Sequence, residues 1–305
     1  MASPEPSLPA LDGCTTEMAD PRLRDLDLMD TADMVRVMNE AEAEVPRAVA
    51  RASAQICAAV DAAAAALGAG GRMFYVGAGT PGRLGILDAS ECPPTFSTDP
   101  ALVQGIIAGG PSAITEAVEG AEDAVEQGAR DLRARAPRAE DVVVGISASG
   151  RTPYVLGAIG SATELGATTI GIASNRDCAL SRAVQHPIEV VVGPEVITGS
   201  TRLKAGSAQK QVLNMLSTLT MVKLGKTYGN LMVDVAATNN KLLARALRLV
   251  MQLGQVDEAT ARAALEQCDG HVKTAVVVLR RGVDAKEARA LLADADGHLR
   301  AALGG

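Results

Sequence analysis

Tryptophan is absent from this chain of 305 residues, and aromatic side chains of all kinds make up 2% of it. Without aromatic platforms the protein has no surface on which bases or sugar rings stack, which weighs against a single-strand nucleic-acid binder or a lectin-like groove. The formal net charge of −7 argues against nucleic acid in general. A locally positive site for a small phosphate remains compatible with an acidic whole. Histidine occurs three times, and the five cysteines, Cys14, Cys57, Cys92, Cys178 and Cys268, are scattered, with no CxxC or Cys/His cluster. Neither a metal nor another cofactor is therefore expected. The N-terminal Met-Ala-Ser-Pro-Glu-Pro lacks a basic region followed by an apolar one, so no signal peptide is expected. The most apolar helical run, Ile56 to Leu67, is interrupted by Asp61 and too short to cross a bilayer. The expectation is a reducing, cytoplasmic protein with no membrane or nucleic-acid partner.

What the chain has instead is aliphatic bulk. Hydrophobic residues make up 48%, enough for one large domain and one small one packed with Ala, Val, Leu and Ile. Residues 1 to about 30 lack periodicity and read as an arm. A helical pattern begins at Asp30-Thr31, and a second helix is expected from about Val45 to Leu67, ending at Gly68-Ala-Gly-Gly71. Short β-branched runs follow at Arg72–Val76, Val103–Ile107, Val142–Ile146, Thr168–Ile172 and Ile188–Val192. They alternate with helical stretches near 82–91, 111–135, 152–165 and 179–185, and a last helix runs from about Leu203 to Leu224. Continuous apolar strands separated by helices predict an α/β fold with a parallel sheet covered on both faces, with ligands at the carboxyl ends of the strands. From about Thr238 the pattern becomes all-helical. There Val256-Asp257, Ala261-Arg262-Ala263, Leu265 and Asp269-Gly270-His271 return 27 residues later as Val283-Asp284, Ala288-Arg289-Ala290, Leu292 and Asp296-Gly297-His298. The two histidines read as helix-start residues.

Two segments carry the chemistry. Gly77-Ala-Gly-Thr80, with Pro81-Gly82 behind it, follows a strand and opens a helix, so its backbone can approach an anion at a helix N-terminus. Gly145-Ile-Ser-Ala-Ser-Gly-Arg-Thr-Pro-Tyr154 does the same and adds the hydroxyls of Ser147, Ser149 and Thr152. Two such turns in one sheet suggest a shared phosphate. Glu91 stands just before Cys92-Pro93-Pro94. Those prolines are expected to stop the helix and hold Glu91 at its C-terminal end, at the ligand end of the sheet, where partial burial would raise its pKa and suit a proton donor. The stretch 113–126 supplies Glu116, Glu119, Glu122, Asp123 and Glu126. On a helix Glu119 and Glu122 share a face, with Gly120 between them, and the residues alone do not choose between the two. Thr198, Ser200, Thr201 and Lys204, in a polar loop feeding the last helix, could contact a carboxylate or phosphate.

These strings together resemble the N-acetylmuramic acid 6-phosphate etherases, bacterial enzymes built on the sugar isomerase (SIS) fold. Leu87-Asp-Ala-Ser-Glu-Cys-Pro-Pro-Thr95 is the most specific of them. Ala117–Asp123, Val142–Tyr154, Gly193–Lys210, Gly229–Val235 with Ala237-Thr-Asn239, and Thr15-Thr-Glu17 extend the similarity over nearly the whole chain. The resemblance implies a three-layer αβα, flavodoxin-like SIS domain with a five-stranded parallel sheet, N-terminal helices and a small UBA-like helical tail. It divides the chain into 1–62 (arm and helices), 63–226 (SIS domain), 227–248 (connecting segment) and 249–305 (tail). It implies a carbon–oxygen lyase of peptidoglycan recycling that cleaves the D-lactyl ether of N-acetylmuramic acid 6-phosphate, giving N-acetylglucosamine 6-phosphate and D-lactate by elimination and then hydration, without a metal. By that similarity Glu91 is the proton donor and Glu122 the base at C2. Gly79, Thr80, Ser147, Ser149, Thr152, Ser200 and Lys204 hold the substrate or its phosphate, and the enzyme is a homodimer. One position departs from the pattern: the family's turn carries Ser where this chain has Pro81, losing a hydroxyl and a backbone N–H. The same residues also admit a non-catalytic sugar-phosphate sensor or an aldose–ketose isomerase.

Overall fold

A computed structural model describes residues 13–235 and 240–304; the start of the arm, Ala237-Thr-Asn239 and the beginning of the tail read at Thr238 lie outside the described residues. Five strands, β1 (Met73–Gly77), β2 (Val103–Ile107), β3 (Val142–Ile146), β4 (Thr168–Ala173) and β5 (His186–Glu189), form one parallel sheet in the order β2-β1-β3-β4-β5. Their near-continuous apolar composition matches burial on both faces. Met73, Tyr75, Val144 and Ile146 face one layer, and Phe74, Val76 and Val143 face the other. Gly77 of β1 pairs with Ile146 of β3, so the chain leaves both strands side by side at the point where the strand order reverses. In an open α/β sheet that crevice is where ligands bind.

Three helices precede the sheet: α1 (Thr31–Glu42), capped by the Asp30 carboxylate, α2 (Glu44–Arg51) and α3 (Ser53–Gly68). The expected single helix from Val45 to Leu67 is thus two, broken at Ala52, whose ψ of 6° is off the helical value. On the first face α3 packs with α4 (Gly79–Phe96) and α8 (Lys204–Lys223). The opposite face carries α5 (Val125–Arg133), α6 (Pro153–Glu164) and α7 (Ala179–Ala183).

Two sequence expectations are corrected here. The prolines do not stop α4, which runs through Pro93 and Pro94 to Phe96. Proline's fixed φ suits a helix, and α4 absorbs the two costs of the pair, the missing N–H donors and the crowding of each ring against the carbonyl four residues back. Burial of Phe96 anchors the last turn, and Ser97, left-handed at φ 50°, closes it by donating its N–H to the Pro93 carbonyl. The stretch 111–135 is not one helix either. Gly120, at φ 71°, takes a conformation that helices exclude, so Glu122 sits in a 3-10 turn over Ala121–Asp123 and the helical face shared with Glu119 does not exist. The last strand also begins earlier than expected, at His186, because its pairing with Ile170–Ala173 sets its register.

Beyond α8 the helices α9 (Asn240–Gly254), α10 (Glu258–Gln267), α11 (Val272–Arg281), α12 (Ala285–Asp294) and α13 (Leu299–Ala302) enclose a separate core that reaches from Val233 to Ala302. The 27-residue repeat is structural. Asp257 and Asp284 cap α10 and α12 by accepting the backbone N–H groups of Thr260 and Glu287, and Asp269-Gly270 and Asp296-Gly297 are matching left-handed turns. His271 and His298 occupy the N-cap positions of α11 and α13. No helix of the described residues is long and apolar enough to cross a membrane.

Candidate active site

The two expected anion turns meet at the strand-order reversal. After β3, the Ser147 hydroxyl lies 2.7 Å from that of Thr152 and 3.3 Å from that of Ser149, and it accepts the Gly150 N–H at 3.0 Å. Gly150, at φ 69°, makes the turn possible, and a Cβ there would collide with Cys178. Pro153 then opens α6. After β1, Gly77 packs its Cα against Gly82, so the turn folds tightly onto the start of α4 and leaves the first helical N–H groups pointing at the crevice. Thr80 lies over Gly206 in the first turn of α8. Gly79, Thr80, Ser147, Ser149 and Thr152 therefore gather at one end of the sheet.

Three residues that the sequence reading passed over hold this end together. Asn175, buried in the turn after β4, places its amide nitrogen 3.3 Å and 3.2 Å from the carbonyls of Ala148 and Ser149 and 3.0 Å from the Thr16 hydroxyl. The N-terminal arm is thereby tied to the serine turn. Glu195, 1% exposed, accepts the N–H groups of Lys204 and Ala205 at 3.0 Å and 2.9 Å. A protein carboxylate thus already occupies the N-terminus of α8, where Leu203 offers no capping side chain. The Lys204 ammonium donates to the Val192 carbonyl at 2.9 Å, while Ser200 is half-buried in the loop before it. Asp88 is the third. It is buried and accepts from Tyr75 (2.9 Å), Asn214 (2.9 Å) and Ser217 (3.2 Å), bolting α4 to α8. Burial pushes its carboxyl above the ordinary range despite those donors, and pushes the Tyr75 hydroxyl well up. A signal for Asp88 was present: it shares a helical face with buried Gly85 and Cys92, where an apolar residue would be expected.

The two glutamates are placed differently. Glu122 belongs to the connection that leaves the carboxyl end of β2. Gly128 of α5 and Gly157 of α6 lie so close to the facing backbone that a Cβ at either would clash, and this tight pairing brings the Glu122 turn beside the serine turn that starts α6. Glu91 is exposed and lies twelve residues along α4 from Gly79, about 18 Å at ~1.5 Å per residue. The expectation that it stands at the ligand end of the sheet is thus corrected: α4 runs back antiparallel to the strands and carries Glu91 away. There Glu91 lines a cavity of about 260 Å³ between α4 and α8, whose apolar wall is Leu84, Leu87 and Leu213. Asp88, Lys210 and Asn214 complete its polar side.

The chain matches the SIS domain model over residues 121–219 and the model of the glucokinase regulatory protein N-terminal SIS domain over 55–163. It is 57% identical over 275 residues to an N-acetylmuramic acid 6-phosphate etherase of Streptomyces coelicolor, covering 90% of this chain and 88% of that one. The chain belongs to the N-acetylmuramic acid 6-phosphate etherase family. Relatives of the same name from Rubrobacter xylanophilus (55% identical, 88% of this chain and 89% of the relative) and Mycolicibacterium smegmatis (51%, 89% and 91%) agree. The five-stranded parallel sheet with helices on both faces is the SIS architecture that the similarity implied.

Proposed function

We propose that this protein is a carbon–oxygen lyase that cleaves the D-lactyl ether of N-acetylmuramic acid 6-phosphate, yielding N-acetylglucosamine 6-phosphate and D-lactate in peptidoglycan recycling. The observation that carries the reading is the family membership together with the paired turns at Gly79-Thr80 and Ser147–Thr152, whose hydroxyls and helix N-termini suit a phosphoryl group. Ser200 and Lys204 frame the same end of the sheet. In the open-chain sugar the aldehyde acidifies C2–H. The Glu122 carboxylate takes that proton, the C2–H electron pair becomes the C2=C3 bond, and the C3–O bond breaks while Glu91 delivers a proton to the departing lactate oxygen. Water then adds at C3. A positioned acid or base of this kind contributes ~10²–10⁴-fold.

Distance decides how the two carboxyls act together. Five single bonds separate phosphorus from C3, so an extended sugar spans on the order of 6 Å. Glu91 lies about 18 Å down α4 from its own phosphate turn. One chain cannot bring Glu91 to a sugar held by that chain's own turns, and the reading therefore includes a homodimer in which a second copy supplies Glu91. The surface around Glu91 suits such a contact, because Leu87, Met215, Leu219 and Val222 are all exposed on α4 and α8. Three of them recur along α8 at helical spacing. The five free thiols fit a reducing cytoplasm. The division of the chain at 62, 226 and 248 belongs to the same reading.

The test is release of D-lactate from N-acetylmuramic acid 6-phosphate in H₂¹⁸O. The expected result is stoichiometric lactate with ¹⁸O at C3 of the sugar, abolished by Glu122→Gln. Binding of the sugar phosphate without lactate release would favour the sensor instead, and ketose formation the isomerase.

A further inference from the structure

We infer that Lys210 is the cation that receives the carboxylate of the lactyl group, and that the α4–α8 cavity is the lactyl subsite. The inference rests on the proposed etherase reading and deepens it by assigning what distinguishes the substrate from its product. The lactyl group carries a carboxylate one carbon from the ether oxygen. Wherever Glu91 reaches that oxygen, the carboxylate lies within a few ångström of Glu91. A carboxylate is repelled by two acidic neighbours, and the cavity wall holds Glu91 and Asp88. Lys210 is the cationic side chain on the same wall.

The other polar groups of the cavity are already committed. Asp88 accepts from Tyr75, Asn214 and Ser217, and Asn214 spends an amide proton on it. Among the described residues, Lys210 has no carboxylate within ion-pair distance; its charge is felt by Asp88 across the cavity. The apolar wall of Leu84, Leu87 and Leu213 suits the lactyl methyl group. The parallel run of α4 and α8 fixes the arrangement. Gly206 lies beside Thr80 and Asn214 beside Asp88, so Lys210 stands between the phosphate-turn end of the groove and Glu91. Glu91 and Lys210 therefore travel together as one half-site. With the ligand seated, the ammonium is neutralised and Glu91 lies next to a second carboxylate.

The product N-acetylglucosamine 6-phosphate lacks the lactyl group but keeps the C2–H that Glu122 must remove in the reverse direction. The experiment compares two reactions of the wild type, Lys210→Gln and Lys210→Arg. One is D-lactate release from N-acetylmuramic acid 6-phosphate; the other is solvent deuterium exchange at C2 of N-acetylglucosamine 6-phosphate. Lys210→Gln is expected to lower kcat/KM for lactate release by about 10- to 100-fold, the worth of one charge-assisted contact, while exchange stays within about threefold. Lys210→Arg is expected to recover part of the loss. Parallel loss of both reactions would make Lys210 structural and overturn the assignment, as would unchanged lactate release. A wild type that exchanges C2–H but releases no lactate would overturn the etherase reading itself, and the subsite with it.

Discussion

Mixing two inactive variants tests whether Glu91 and Glu122 of one catalytic centre come from different chains. Glu91→Gln and Glu122→Gln are each expected to lose ~10²–10⁴-fold in lactate release, since on the proposed mechanism each lacks one acid–base group. On the proposed reading, the ~18 Å along α4 between Gly79 and Glu91 implies that each centre of a two-fold dimer pairs Glu122 of one protomer with Glu91 of the other. In a heterodimer of the two variants one centre then has both glutamates and the other has neither. Equal amounts of the two, dissociated and reassociated at random, form about half heterodimers, so about one quarter of the wild-type activity should return. That signal stands well above either parent. Heterodimers are isolated by two different affinity tags, and lactate is measured enzymatically. A complementary mixture of wild type with the double variant should leave only wild-type homodimers active, about a quarter of all centres, against about half if each chain were self-sufficient. Tag-purified heterodimers no more active than their parents, with wild type recovering fully through the same dissociation, would refute the argument from helix length.

Two further outcomes follow from the same structure. Pro81→Ser restores a hydroxyl and an N–H in the first turn of α4 and should lower KM for the sugar phosphate by about 10-fold or more, the worth of a hydrogen bond to a charged group, with kcat little changed. Asp141, fully buried at the opposite end of the sheet, accepts from the Arg72 guanidinium and from the backbone N–H groups of Arg72 and Arg138. Burial pushes its carboxyl up, but those hydrogen bonds more than offset it and hold the group below the ordinary range. Its stabilisation is therefore present above the unfolded value of ~3.9 and is lost as pH falls through the lower folded value. Asp141→Asn should cost about 3 kcal/mol in urea unfolding at pH 7, and the gap to wild type should narrow at pH 3.

The sheet and its turns were legible because their signals are local. Val142–Ile146 is a short, β-branched run, apolar at every position but Gly145, which reads as a buried strand, and the glycine and hydroxyl residues directly after it read as a turn at a helix start. The repeat in the tail was legible for the same reason, since Asp caps and Asp-Gly turns act within a few residues of themselves. Resemblance to a family named Glu91 and Glu122, but the local pattern put Glu91 at the ligand end of the sheet and Glu122 on a helical face with Glu119, and the structure has neither placement. Proline's local preference for ending a helix was overruled in α4 by burial of Phe96, a tertiary contact, while Gly120 broke the expected helix at 111–135 through a backbone angle that composition does not reveal.

Asn175, Glu195 and Asp88 escaped notice because each works on residues far off in the chain: Asn175 on the serine turn and Thr16, Glu195 on the start of α8, Asp88 on Tyr75, Asn214 and Ser217. Residue order settled the sheet, the two turns that follow β1 and β3, and the family, because strand runs, caps and turns report short-range physics. The position of Glu91, one helix length from the crevice and beside Lys210, was decided by how α4 and α8 pack across the sheet, and packing is a property of surfaces that meet only after the chain has folded.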